Sequence, residues 1–207
     1  MSNALPQTKP LAIEPALALL EFSSIAAGVL AADAMVKRAT LTVVHAGTVQ
    51  PGRFLVLIGG EVAEVQESLK AGLETAPDAL SDHIFLPHVH PEVVRALSAI
   101  RSVQPDEALG VVETRTVSAA IHAADRGVKG ANVTLMEIRL ADGLGGKGIV
   151  FFSGRVSDVE AALDIAASVL SESQKVRQVV IPQLHQDIAA VIRDHTRFGA
   201  QLGWPPA

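Results

Sequence analysis

The stretch ALLEFSSIAAGVLAADAMVKRATLTV (Ala18–Val43) returns 92 positions later as GVVETRTVSAAIHAADRGVKGANVTL (Gly110–Leu135). Glu21 falls on Glu113, Ala31-Ala32-Asp33 on Ala123-Ala124-Asp125, and Val36-Lys37 on Val128-Lys129. Ala39 and Thr42 fall on Ala131 and Thr134. Two further blocks repeat in the same order. FLVLIGGEVAEVQESL (Phe54–Leu69) overlies GIVFFSGRVSDVEAAL (Gly148–Leu163) at an offset of 94, and IFLPHVH (Ile84–His90) overlies VVIPQLH (Val179–His185) at 95. The two residues gained between the first and second blocks fall in the loop ADGLGGKG. Three blocks in one order, with so little drift, identify an internal duplication.

Each copy carries the same expected elements. A short apolar strand, Leu17–Glu21 or Leu109–Glu113, precedes a capping hydroxyl, Ser24 or Thr116. Apolar residues then recur at helical spacing: Ile25, Val29, Ala32 and Val36, matched by Val117, Ile121, Ala124 and Val128. A strand (Thr40–Val44 or Asn132–Ile138), a Gly- or Pro-bearing loop and a second strand (Phe54–Ile58 or Gly148–Phe152) predict a hairpin. A second helix starts near Glu61 or Ser157. A last strand, Ile84–Leu86 or Val179–Ile181, stops at Pro87 or Pro182, and a third helix follows at Pro91–Ile100 or Gln186–Arg193. The order βαββαβ-α is a split β-α-β, ferredoxin-like arrangement. The fold class expected is therefore α/β of the α+β kind, with two tandem ferredoxin-like domains. The boundaries read as an N-terminal extension 1–15, domain one 16–103, domain two 107–196 and a C-terminal tail 197–207, with Gln104-Pro105-Asp106 as linker.

Composition narrows the function. The 207 residues carry 17 Lys plus Arg against 22 Asp plus Glu, a formal charge of −5 that gives no basic footprint for nucleic acid. With 1 Trp, 6 Phe and 0 Tyr there are few platforms for stacking bases. The absence of cysteine excludes disulfides, thiolate metal sites, cysteine-ligated clusters and cysteine nucleophiles. The longest stretch without Asp, Glu, Lys or Arg, Ala39–Gly52, is too short for a membrane helix and contains His45, Gln50 and Pro51. No signal-peptide order of charge, apolar run and cleavage site precedes it, so a cytoplasmic location is expected. The hydrophobic fraction is nonetheless 49% and the mean hydropathy +0.34. Surplus apolar surface of this kind is accommodated most simply at subunit interfaces.

The pattern E-x5-A-x3-A-A-D-x2-V-K-x-A, a strand, a Gly-containing loop, G-x-V-x2-V and P-x-x-H resembles the bacterial microcompartment shell-protein family, twice over, across about residues 16–193. The strand bearing Glu21 and the AADxxVK helix comes first in each copy, so the chain resembles the unpermuted tandem-domain type. That resemblance implies two microcompartment-shell domains per chain and a homotrimer imitating a hexamer. It implies a flat disc that tiles beside hexameric and pentameric shell proteins around encapsulated enzymes, with a central pore for small metabolites. It implies no catalysis and no cofactor. Some tandem members hold an iron–sulfur cluster at the pore through a cysteine, which this chain lacks.

The same resemblance assigns the hairpin loops to the pore: Val49, Gln50 and Pro51 in copy one, and Gly143, Leu144, Gly145 and Gly146 in copy two. Taken alone, both loops also read as plain turns with Gly and Pro for geometry. With no ionised tip, charge selection would rest on Asp142, Arg53 and Lys147 at the shoulders. Leu144 or its neighbouring glycines would set the narrowest point and favour small polar or weakly anionic metabolites. GLGGKG lacks the Ser or Thr and the helix that a phosphate loop requires, which excludes nucleotide binding there.

Asp33–Lys37 and Asp125–Lys129 are i,i+4 pairs of the sort found on any surface helix. The resemblance places Lys37 and Lys129 at the edge between discs, a reading preferred for Lys37 and evenly balanced against a plain surface pair for Lys129. His88 and Gln183 stand at that edge where the family usually carries an arginine. His83, His88 and His90 lack the carboxylate pair of a specific metal site, so surface or capping histidines are expected and no metal. A structural shell protein is the reading favoured. A ferredoxin-like regulatory module binding a small ligand would share the duplication without needing two pore loops, and an enzyme ranks third.

Overall fold

The computed structural model describes residues 15–98, 108–194 and 202–203. Copy one contains β1 (Ala16–Phe22), α1 (Ile25–Arg38), β2 (Val43–Val49), β3 (Arg53–Gly60), α2 (Val62–Thr75), β4 (Leu80–Leu86) and α3 (Pro91–Leu97). Copy two repeats them as β5 (Ala108–Thr114), α4 (Val117–Gly130), β6 (Thr134–Leu140), β7 (Gly148–Gly154), α5 (Val156–Ser168), β8 (Lys175–Ile181) and α6 (Gln186–Asp194). The two four-stranded antiparallel sheets have the orders β2-β3-β1-β4 and β6-β7-β5-β8, the ferredoxin-like arrangement. Even an irregularity is duplicated. The pairing of β1 with β4 shifts register between Glu21 and Phe22, and that of β5 with β8 between Glu113 and Thr114.

Ser24 and Thr116 cap α1 and α4, their side-chain oxygens accepting from Ala27 N (3.4 Å) and Ala119 N (3.3 Å). Lys37 and Arg38 in the last turn of α1, and Lys129 in that of α4, sit where the helix dipole favours a cation. Strand β1 is buried on both faces. Its alternate residues Ala16, Ala18, Leu20 and Phe22 join Met35, Val56, Ile58, Val65 and Leu69 in a cluster belonging to domain one. Leu17 and Leu19 point the other way. They share a cluster with Val93, Val117, Ile121, Ala124, Phe152 and Leu163, so one core continues from the first domain into the second.

The hairpins are tighter than their sequence suggests. Strand β2 runs to Val49, which places Thr48 and Val49 in the strand and leaves a connection of Gln50-Pro51-Gly52. Gly52, at φ +79°, donates its N–H to Val49 O at 3.0 Å and closes the turn. Apolar patterning ends this strand too early because much of β2 is exposed. In copy two the loop between β6 and β7 folds back on itself. Ala141 N bonds Lys147 O (2.9 Å) and Leu144 N bonds Ala141 O (2.9 Å). The linker residues 104–106 and the segments 1–14 and 197–201 lie outside the described residues.

Candidate functional site: a domain seam and two adjoining hairpin loops

Helix α3 leaves the first domain and packs on β6 and α4 of the second, while α4 packs on β1 and β4 of the first. Along this seam acidic side chains accept N–H and O–H groups from the opposite domain. Glu21, fully buried, accepts from Ser118 N at 2.5 Å, and Arg53 Nη1 stands 3.6 Å from its other oxygen. Asp82 Oδ2 accepts from Thr116 Oγ1 (2.5 Å) and from Gln174 Nε2 (2.9 Å). Glu92 Oε2 accepts from Leu135 N at 2.7 Å. His90 donates its backbone N–H to Asp125 Oδ1 (2.9 Å) and caps α3 by accepting Glu92 N at its Nδ1 (3.3 Å), the capping role expected for it.

Lys37 and Lys129 each form the i,i+4 ion pair expected, both at 2.6 Å. Their surroundings differ. The Lys37–Asp33 pair is exposed, whereas Asp125 is buried and Lys129 Nζ also donates to His88 O. Lys129 and His88 thus meet at one end of the seam. Lys37 lies on α1 with Asp33 as its partner, away from that seam, and Gln183 is exposed beyond β8. His83 lies in β4, and among the described residues no group of three His, Asp or Glu side chains is placed to hold a metal.

Burial pushes the Glu21 carboxyl above its ordinary pKa, against the opposing pull of the Ser118 N–H and Arg53 and with help from Asp82. A carboxyl raised on folding contributes stability that is complete below its unfolded pKa and is lost as pH rises through its folded value. Glu21→Gln keeps an oxygen for the Ser118 N–H and removes the buried charge. The variant should therefore gain on the wild type between pH 4 and pH 7.5 in urea unfolding. A variant that loses ground over that interval would show that the Arg53 attraction outweighs burial.

The hairpin tips adjoin. Gln50 N donates to Asp142 Oδ1 at 3.2 Å, and a Cβ placed on Gly146 would stand 3.0 Å from Pro51 Cδ. Val49 and Leu144 are half-buried, while Gln50, Pro51, Gly143 and Gly145 are exposed. Gly143, Gly145 and Gly146 all have positive φ, so a side chain at any of them strains the backbone. Leu144 is the position in this loop that already carries a large side chain. The loop runs into β7, not into a helix, as its sequence indicates. Two of the shoulder charges are already engaged: Arg53 faces Glu21, and Lys147 Nζ is 2.7 Å from Glu113.

The seam is what sequence reasoning missed. Asp82, Glu92, Thr116, Ser118 and Gln174 had not been singled out for it. The available signal was Glu21 itself, a charged residue at the end of the apolar run ALALL.

A doubled split β-α-β fold with these seams is the architecture of a recognised family. The chain belongs to the BMC domain family, whose pattern matches residues 16–89 and again 108–184. It is 41% identical over 174 residues to the bacterial microcompartment shell protein PduT of Citrobacter freundii, covering 84% of this chain and 95% of that one. A single copy resembles the carboxysome shell protein CcmK2 of Synechococcus elongatus, 38% identical over 95 residues, 43% of this chain and 93% of the relative. Among solved structures, a microcompartment protein from Desulfitobacterium hafniense superposes with a TM-score of 0.74 at 40% identity, covering 84% of this chain and 98% of that one. A fused permuted hexameric shell protein of the RMM microcompartment matches less closely, with a TM-score of 0.53, 26% identity, and 74% and 82% coverage. No described helix is long and apolar enough to cross a membrane.

Proposed function

We propose that the chain is a structural, non-catalytic shell protein of a bacterial microcompartment, and that three copies close into a pseudohexameric disc with a central pore. The observation that carries the ring is the unequal exposure of duplicated surfaces. Inside the chain, β1, β4 and α3 of domain one dock on α4 and β6 of domain two. Domain two therefore carries a second copy of the donor face, on β5, β8 and α6, and domain one a second copy of the acceptor face, on α1 and β2. Both lie open. Ile121 is 0% exposed but its counterpart Val29 is 52%, and Val93 is 0% exposed but its counterpart Ile188 is 50%. Ile25, Leu30, Val36 and Val44 add to one open face, Val179 and Val191 to the other. Apolar faces of this kind, complementary head to tail, close into a ring when the rotation permits.

The adjoining hairpin tips support the pore. In a ring of three, Val49-Gln50-Pro51 would alternate with Gly143-Leu144-Gly145-Gly146 around the axis. With Arg53 and Lys147 paired, selection would come from diameter, backbone dipoles and Asp142. Lys37, Lys129, His88 and Gln183 would lie towards the rim where discs meet, alongside hexameric and pentameric shell proteins. Small metabolites would cross the disc, and encapsulated enzymes would lie behind it.

Native mass spectrometry at low micromolar concentration tests the ring, with three chains as the expected mass. The same material, concentrated, should tile into flat sheets under the electron microscope. A stable monomer or dimer removes the ring, and trimers that never tile remove the lateral edge.

A further inference from the structure

The two seams of the proposed ring differ in charge at one place, and the difference assigns a contact between copies. In the inner seam Asp82 of β4 faces the N-terminus of α4, accepting from the capping Thr116 Oγ1 and from Gln174 Nε2. An acid at that point also suits the helix dipole. The position matching Asp82 in domain two is Arg177 of β8, offset by 95 as in the adjoining block. A cation there would meet the N-terminus of α1 in the next copy, the wrong sign for the dipole.

The surroundings of that N-terminus have changed in the opposite sense. Arg115 N bonds Gln174 O at 2.8 Å beside Thr116, and Ser23 N bonds Ala79 O at 2.8 Å beside Ser24. These matching bonds make Ala79 the counterpart of Gln174, and Asp78 the counterpart of Ser173. So where the inner seam has Asp82 against Thr116 and Gln174, the outer seam would have Arg177 against Ser24 and Ala79, with Asp78 next to Ala79 in the chain. Both Arg177 and Asp78 are exposed, and the ion pairs of the described residues involve neither. Glu113 lies opposite Arg177 in the β5–β8 register, but its carboxylate is engaged by Lys147.

We propose that Arg177 of one copy forms an ion pair with Asp78 of the next, beside the Ser24-capped end of α1, and that this pair helps set how copies join. The inference rests on the head-to-tail ring above and adds the residues that recognise the second copy. Complementary charge at such a contact acts chiefly on specificity, because the mismatched alternative places like charges together.

The experiment is a charge swap read by concentration-dependent sedimentation of the full chain. Arg177→Asp and Asp78→Arg, each alone, should raise the dissociation constant of the seam about tenfold or more, and the double variant should return it to within about threefold of wild type. Far-UV circular dichroism should stay unchanged, since both residues are exposed. Single variants without effect, or a double variant whose losses add, would overturn the pairing and leave the ring standing. A wild type that never forms trimers would overturn both.

Discussion

Ile188→Asp should convert the proposed trimer to monomers at low micromolar concentration, without unfolding the chain. Ile188 is half exposed on α6, at the position matching Val93, which is fully buried where α3 meets the second domain. If α6 seats on α1 and β2 of a neighbour as α3 does on α4 and β6, the aspartate is buried with no partner. Burying an unpaired carboxylate costs about 3 kcal/mol or more, roughly a hundredfold weaker binding at each seam. Val156→Asp serves as control, because Val156 is exposed but lies at the start of α5, outside both faces. Native mass spectrometry reads both variants. Trimers of Ile188→Asp surviving at that concentration would place α6 on the outside of the assembly.

Gly148→Val should destabilise the chain by about 3 kcal/mol and lower its melting temperature by about 6–12 °C. Gly148 opens β7 beneath α4, where an added Cβ would come within 2.3 Å of Ala120 Cβ, 2.9 Å of Thr114 Oγ1 and 3.1 Å of Thr116 O. Backbone and a one-carbon side chain cannot move aside as a flexible side chain would. The same helix–strand gap in domain one is filled the other way round. There the strand carries Phe54 and the helix Gly28, whose added Cβ would lie 2.6 Å from the Phe54 ring. The two copies thus divide a similar volume differently between helix and strand, as close packing demands. Gly47→Ala, with nothing within 4 Å of its added Cβ, should leave calorimetric stability nearly unchanged. Equal melting temperatures for Gly148→Val and wild type would show that α4 can lift from β7 at little cost.

The architecture was legible because the duplication carried it: two matching runs of apolar strands and capped helices leave few other topologies. Boundaries failed where pattern and burial part company. The end of β2 is exposed and polar, so Gly47 and Thr48 read as loop although they pair with β3. The seam was not legible, for a different reason. Its bonds join residues far apart in sequence, as Glu21 and Ser118 are, and nothing periodic marks them. Likewise Gly, Pro and Leu144 marked two turns, but only the Gln50–Asp142 hydrogen bond shows that the turns adjoin. Lys129 was balanced between two readings because its pairing with Asp125 is visible from spacing. Its donation to His88 O across the seam is not.

The core that continues across the seam bears on how such a molecule assembles. Leu17, Leu19 and Val93 share a core cluster with Val117, Ile121 and their neighbours from the other copy, as well as with Val43, Leu57 and Leu86 of their own. A free single domain with these surfaces would have to find that cover by diffusion. Fusion supplies it at an effective concentration in the millimolar range or above, independent of how much protein the cell makes. In the proposed ring every second seam is then complete as soon as a chain has folded. Closing six domains then takes two encounters between chains instead of five between free domains, and dilution can loosen only half of the contacts.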